Sequence, residues 1–471
     1  MYSRFYLSVL LISSLLVMTY LALVAFHGVM PEWKYYQLEY KDMLIKNAKD
    51  DTSRKRAEAF NVKLQQIYLS ALKKEDRCTT CHIGVDNPMM ASAKVPFKAH
   101  SGDYLAKHPI DKFGCTVCHE GQGLATNKRE AHAKGHTYWD NPILPLNYTQ
   151  SACVQCHDVD MLSTKGGDKV AEGDKLFREK GCQGCHKINK VGGDLGKPLD
   201  GVGYRPIAYF PMKHVVGDHT VPSWLKQHFD DPRAIVPGSE MKVRFKGAEA
   251  DLMTIFSLTL RPDEPPLEYR RKSYARPPKQ DGETLYKMYC AACHGDGKTS
   301  AYDEIFKRTV PAIQNPSFLK TADYKNLETI IKEGRNGTQM TAWKSTAAGV
   351  SDEEIKSIIE YLTSNKPAEA PAPFPIKDIN ASAEHGKEIF DTHCVVCHGK
   401  DAKGGENLIG INLRNPAVTK MVDPEFLAVT IRDGREGTSM PSFTSEEMGL
   451  TDQDIADVVA YMRDFVRVAK K

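Results

Sequence analysis

The chain opens with one long apolar stretch and then alternates short amphipathic segments with polar, glycine- and proline-rich connections. From Phe5 to Phe26 only Ser8, Ser13, Ser14 and Thr19 interrupt the apolar run. A helix of about 20 such residues crosses a bilayer. The following Ala25-Phe26-His27-Gly28-Val29-Met30-Pro31 is a poor signal-peptidase site, so residues 1–30 are expected to form an uncleaved transmembrane anchor. Trp33, Tyr35, Tyr36 and Tyr40 then read as an aromatic belt at the outer interface. Residues 31–77 read as a mostly helical stalk, with Leu38, Met43, Leu44, Leu64, Ile67 and Leu72 as its apolar positions.

From about residue 170 a single pattern recurs three times, the signature of a repeated domain. Each copy opens on a glycine-aromatic helix: Gly173-x-x-Leu176-Phe177, Gly282-x-x-Leu285-Tyr286 and Gly386-x-x-Ile389-Phe390. Each closes on a helix that carries an aromatic, namely Phe256, Tyr361 or Tyr461. A glycine on one helix admits an aromatic from the other, so the two helices are expected to cross closely. Ser351-Asp352-Glu353-Glu354 fits a capping box, and Thr451-Asp452-Gln453-Asp454 is a weaker relative. The copies span 166–262, 280–366 and 381–471. Pro-rich segments separate them, and Pro367 to Pro375 reads as a semi-rigid leash on which the last copy swings.

A length of 471 residues asks for three or four domains, and a formal charge of +3 carries no nucleic-acid footprint. The cysteines decide the chemistry. All 12 sit in Cys-x-x-Cys-His units: Cys78/Cys81/His82, Cys115/Cys118/His119, Cys153/Cys156/His157, Cys182/Cys185/His186, Cys290/Cys293/His294 and Cys394/Cys397/His398. This spacing sets two thiols to form thioethers with haem vinyl groups and places an imidazole beneath the iron. Zinc ribbons do not need a histidine after every second cysteine. Local disulfides explain no histidines at all. Six covalently bound haem c groups are therefore expected.

Each repeat looks like a small class I cytochrome c domain, all-helical around one haem. The resemblance implies a distal methionine ligand late in each copy: Met241, Met340 and Met440. The last two sit in matching Gly-Arg-x-Gly-Thr-x-Met loops at 334–340 and 434–440. His214, His219 and His228 compete with Met241, while His385 and His393 read as exposed residues. His/Met ligation raises the potential of these three haems.

Residues 78–165 hold three motifs in too little chain for three such domains, so the haems themselves must supply much of the core. Free histidines cluster here: His100, His108, His132 and His136. The first three are the favoured distal ligands, with His136 in reserve and the pairing left open. Two imidazoles lower the potential, which makes this module the reducing end. Asp76-Arg77-Cys78 through His82, His108-Pro109 and Phe113-Gly114-Cys115 through Gly123 resemble membrane-anchored multihaem cytochromes of bacterial quinol-oxidising complexes that contain a cytochrome b. That resemblance implies a cytochrome b-type or other quinol-oxidising membrane subunit as donor, and a soluble cytochrome or terminal reductase as acceptor.

The expected fold is mainly α, with an N-terminal transmembrane helix, a loop-rich three-haem module and three all-α cytochrome c domains. Only Arg4 precedes the anchor, whereas Lys34, Lys41, Lys46 and Lys49 follow it. The charge rule alone would put the bulk of the chain in the cytoplasm. Haem c attachment outside the bacterial cytoplasmic membrane overrides this and puts it in the periplasm. No nucleophile-base constellation is visible, so electron transfer is the leading function. The rival is a reductase with one open haem acting on peroxide or on a nitrogen or sulfur oxide. A third reading, a subunit of an extracellular cytochrome filament, conflicts with an uncleaved anchor.

Overall fold

A computed structural model describes residues 2–70, 72–133, 139, 141–261, 280–335, 338–405, 408–415, 418 and 422–468. Regular structure is mainly helical, as the sequence implies. Among the described residues the sheets are two hairpins, Ile67–Leu69 with Lys74–Asp76 and Ala301–Asp303 with Arg308–Val310.

The first helix spans Tyr2–Val29. Its segment Arg4–Phe26 has mean hydropathy 2.5, and none of it is buried within the protein. An unbroken apolar cylinder of this length finds a suitable solvent in a bilayer. Pro31, in extended conformation, ends the anchor and starts a second helix, Glu32–Lys46. A capping box between Asp50 and Ser53 opens a third, Asp51–Glu58.

Two compact bodies divide the chain. The first comprises residues 2–170, 203–228 and Arg261, and the second 171–202, 229–260 and 280 onward. The segment 203–228, counted by its position in the first repeat, packs with the first body.

The first body departs from the stalk expectation. Beyond Glu58 the chain is extended and then forms the Ile67–Leu69/Lys74–Asp76 hairpin, so Leu64, Ile67 and Leu72 lie outside any helix. The cause is the buried Gln37. Its amide donates to the carbonyls of Lys63 (2.8 Å) and Thr80 (2.9 Å) and accepts from Lys63 N (2.9 Å). Thr80 Oγ1 exchanges two further bonds with the backbone of Gln65. These bonds supply the partners that an extended backbone needs and tie the second helix to the first cysteine motif. Tyr40 is also no belt residue. It is 5% exposed, packs with Met90 and Phe97, and accepts from Asn87 Nδ2 at 2.9 Å.

In the second body each repeat crosses its opening and closing helices as expected. Asp168–Glu179 meets Ala248–Thr259, Gly282–Tyr289 meets Asp352–Thr363, and Ala383–His393 meets Asp452–Val468. At each crossing a glycine faces the partner backbone: Gly173 the Leu252 carbonyl, Gly282 that of Ser357 and Gly386 that of Asp457. The aromatics then meet at ring-centre distances of 4.4 Å (Phe177–Phe256), 5.4 Å (Tyr286–Tyr361) and 5.5 Å (Phe390–Tyr461). The Ser351–Glu354 box forms in both directions. Asp454 serves Thr451 in the same way.

The leash expectation needs correction. Phe374 is buried in the third repeat's core, and Arg432 donates to the carbonyls of Ala372 and Pro373. The second and third repeats also touch. Arg435 donates to the Ser317 carbonyl at 2.9 Å, Asn315 Nδ2 to the Glu436 carbonyl at 2.7 Å, and Phe318 meets Phe426 edge to face. A proline segment laid on a domain has lost the freedom that composition alone promised it.

Candidate haem sites

All six Cys-x-x-Cys-His units fold into one turn. The histidine N–H donates to the carbonyl of the first cysteine in each, at 2.8 Å for His82 and 3.0 Å for His119, His157, His186, His294 and His398. One helical turn puts residues i, i+3 and i+4 on one side, so both sulfurs and the imidazole face the same way. None of the 12 cysteines is in a disulfide. Burial pushes the Cys182, Cys290 and Cys394 thiols up to about 12.

Cys397, expected as the second attachment point of the last motif, is brought to the site by its backbone. Its N–H donates to the Cys394 carbonyl at 3.2 Å, and its own carbonyl accepts from Gly410 N at 2.9 Å. The Cys397 side chain is half-buried. Support for Cys397 as a thioether position comes from the turn Cys394 to His398.

The proximal rings of the second body are held alike. His186 Nδ1 lies 2.7 Å from the Lys197 carbonyl, His294 Nδ1 3.2 Å from that of Pro311, and His398 Nδ1 2.9 Å from that of Ile411. A carbonyl on Nδ1 fixes the tautomer and turns Nε2 toward a metal. Burial lowers the pKa of all three and keeps them neutral. Gly196 and Gly410 lie flat against the rings of His186 and His398, where any side chain would strike the imidazole.

The methionine loops share one internal pattern. Met340 N donates to Thr338 Oγ1 and Met440 N to Thr438 Oγ1, both at 3.1 Å. Arg335 N and Arg435 N close the loops on the Met340 and Met440 carbonyls at 2.7 and 2.9 Å. Met241 lies in a different loop but keeps the hydroxyl two residues before it, donating to Ser239 Oγ at 3.3 Å. Its rivals are engaged locally: His219 Nε2 lies 3.2 Å from the Val215 carbonyl, and His228 stacks on Trp224. His385 is not a plain surface residue, because its Nδ1 sits 2.8 Å from the buried Asp457 carboxylate.

In the first body the structure brings His132 to His82, His100 to His119 and His108 to His157, with ring centres 6.3, 6.2 and 5.9 Å apart. His136 lies outside the described residues. Burial lowers the His82 and His119 pKa values, and the neighbouring imidazoles add to the shift.

Two features escaped sequence reasoning. Asp76, fully buried, accepts from Cys115 N (2.7 Å) and Thr116 N (2.9 Å) on one oxygen and from Cys78 N (3.0 Å) on the other. It therefore clamps the first two motif turns together. It also lies within ligand distance of the Cys78 and Cys115 sulfurs, but amide donors already occupy both of its oxygens. In the second body the turns at 182–185 and 290–293 pack face to face. Gly181 and Gly184 lie against the backbone of Lys287 and Tyr289 and against Ala292. Only a glycine in this turn would have hinted at such an approach.

The donor set fits haem c in turn geometry, neutral axial imidazoles and glycine cradles. Once attached, haem c supplies one-electron exchange at its iron. The cysteines would hold its ring by sulfur and the motif histidines would ligate its iron, with the free histidines and the loop methionines as candidates for the second donor.

Residues 277–362 and 381–462 each match the family model described as cytochrome c oxidase, cbb3-type, subunit III. The subunit CcoP of the cbb3-type cytochrome c oxidase of Azospirillum brasilense is 27% identical over 198 residues, 39% of this chain and 60% of that protein. FixP of Azorhizobium caulinodans is 25% identical over 172 residues (35% and 53%), and FixP of Bradyrhizobium sp. is 28% identical over 163 residues (34% and 53%). The chain thus spans 60% or less of these relatives' lengths. A chain of the Kuenenia stuttgartiensis reducing HAO-like protein complex aligns at 19% identity over 40% of this chain and 96% of that one, with a TM-score of 0.28, too low to define a shared fold. Fold, motif turns and matches together define an iron-binding electron-transport cytochrome that carries covalent haem c and has an N-terminal membrane helix. Its two C-terminal domains are similar to subunit III of cbb3-type cytochrome c oxidases.

Proposed function

We propose that this chain is a membrane-anchored hexahaem cytochrome c. It carries electrons from a quinol-oxidising membrane subunit of the cytochrome b type to a periplasmic acceptor, either a soluble cytochrome or a terminal reductase. The observation that carries this reading is that each motif histidine of the first body meets a different free histidine, with ring centres 6.3, 6.2 and 5.9 Å apart; Met241, Met340 and Met440 are the donors we assign to the second. An iron with both axial positions filled exchanges electrons and leaves no position for a substrate. Bis-histidine sites are the low-potential group and His/Met sites the high-potential group, so electrons enter at the three-motif body and leave from the C-terminal domains. The anchor holds the entry end at the cytoplasmic membrane with the cysteine motifs facing the periplasm. The relatives' place as oxidase subunits supports a complex of this kind.

The test is gentle detergent purification of the native complex, with identification of its companion subunits, a haem count and a redox titration. A cytochrome b companion, six haems, and three low and three high potentials are expected. A chain that purifies alone, binds carbon monoxide when reduced and turns over a small oxidant would overturn the proposal in favour of a reductase.

A further inference from the structure

We infer that the three-motif body binds its irons between crossed histidine pairs: His82 with His132, His119 with His100, and His157 with His108. The inference rests on the haem reading above and goes beyond it by assigning each iron its two ligands and their relative orientation. The sequence leaves this pairing open.

Distance carries the argument. Metal–imidazole bonds of roughly 2 Å, with each ring centre about 1.1 Å beyond its nitrogen, put the two ring centres about 6.2 Å apart. The three observed separations are 6.3, 6.2 and 5.9 Å. The pairs are disjoint, so each proximal ring meets a different free histidine. The far sides of two distal rings are already taken: His100 Nδ1 lies 2.8 Å from the Ser101 carbonyl and His108 Nδ1 3.2 Å from that of Tyr104. That leaves Nε2 to face inward, the arrangement usual for a ligating histidine. His132 ends the helix Lys128–His132, which Asn127 caps, and its carbonyl accepts from Ile143 N at 2.9 Å, so its backbone is fixed on both sides.

The crossing has a structural consequence. The ligand of the first motif comes from beyond the second motif, and those of the second and third come from the connection between the first two. The first motif cannot complete its coordination until the chain from 78 to 132 has folded, nor the third until that from 108 to 157 has, so both close across the second motif.

Ring orientation supplies a readout independent of activity. The planes of His82 and His132 meet at 34°, whereas those of His119/His100 and His157/His108 meet at 68° and 78°. Near-parallel imidazoles split the iron d orbitals and yield an ordinary rhombic low-spin resonance. Near-perpendicular imidazoles leave those orbitals almost degenerate and yield a highly anisotropic one.

The experiment is electron paramagnetic resonance on the full-length, haem-loaded chain in detergent, with the variants H132M, H100M, H108M and H136M, and a haem count on each. The wild type should show one rhombic and two highly anisotropic bis-histidine signals. H132M should remove the rhombic signal alone, H100M and H108M one anisotropic signal each, and H136M none. A glycine variant, H132G, should regain the rhombic signal on addition of imidazole. Loss of an anisotropic signal in H132M, or of any bis-histidine signal in H136M, would overturn the pairing while the haem count still stood at six. A count of zero would instead remove the haem reading beneath it.

Discussion

Asp76 carries a buried negative charge on the backbone amides of two haem-attachment turns, and that placement has two measurable effects. Burial pushes its pKa up, but the N–H groups of Thr116, Cys115 and Cys78 more than offset this, so the carboxyl sits below its ordinary range. A folded pKa below the unfolded one means that its contribution to stability is full above the ordinary carboxylate pKa and fades as the pH falls through the folded value. Replacing it by asparagine removes the charge and one acceptor oxygen. The D76N variant should lose about 1–3 kcal/mol in denaturant unfolding, and redox titration should find the lowest potentials raised. Unchanged potentials would reduce Asp76 to a purely mechanical clamp. His385 has the opposite sign. The hydrogen bond to Asp457 raises its pKa above 6.5, so its contribution is full below the unfolded pKa and is lost as the pH rises through the folded value. Hydrogen exchange in the Ala383–His393 helix should be faster in H385Q than in wild type at about pH 5.5, and the gap should close by about pH 8.5. A gap independent of pH would show that the ionised pair contributes nothing.

Among the elements, the helix crossings were the most legible part of the chain. Glycine and aromatic recur at fixed places, and the reason is steric: Gly386 meets the Asp457 carbonyl with no room for a Cβ. In G386A the added methyl gains about 1 kcal/mol in helix propensity and strikes a backbone that cannot yield, at a cost of about 1–3 kcal/mol. Thermal melting should therefore register a net loss of stability, and a gain would mean the crossing has slack. The motif turns and the Ser351–Glu354 and Thr451–Asp454 caps were legible for a related reason, since each is written in neighbouring residues. What stayed hidden depends on partners far along the chain. Gln37 and Thr80 hold residues 63–65 in an extended path where a helical stalk was expected. The His82–His132 pair likewise spans a whole intervening motif. Local pattern carries no record of either.

At the scale of the whole molecule, the joint between the last two domains decides whether the third repeat is fixed or tethered. Proline composition argued for a tether, but the contacts argue for a fixed joint. Burial lowers the Arg435 pKa to about 10, so the guanidinium stays charged near neutrality. It lies over the rings of Phe318 and Phe426, 5.8 and 5.1 Å from their centres, while donating to the Ser317 carbonyl. One side chain thus joins the methionine loop of the third repeat to the Pro316–Thr321 helix of the second. Its planar fork is what allows stacking and hydrogen bonding at once, and lysine cannot reproduce both. Spin labels on the exposed residues Lys325 and Lys387 of the full chain should give one narrow distance distribution in wild type. R435A and R435K should both broaden it, with haem content unchanged. If wild type is already broad, the third domain does swing on its leash and the docked arrangement is only one of its positions. If R435K stays narrow, charge alone holds the joint and the stacked geometry is incidental.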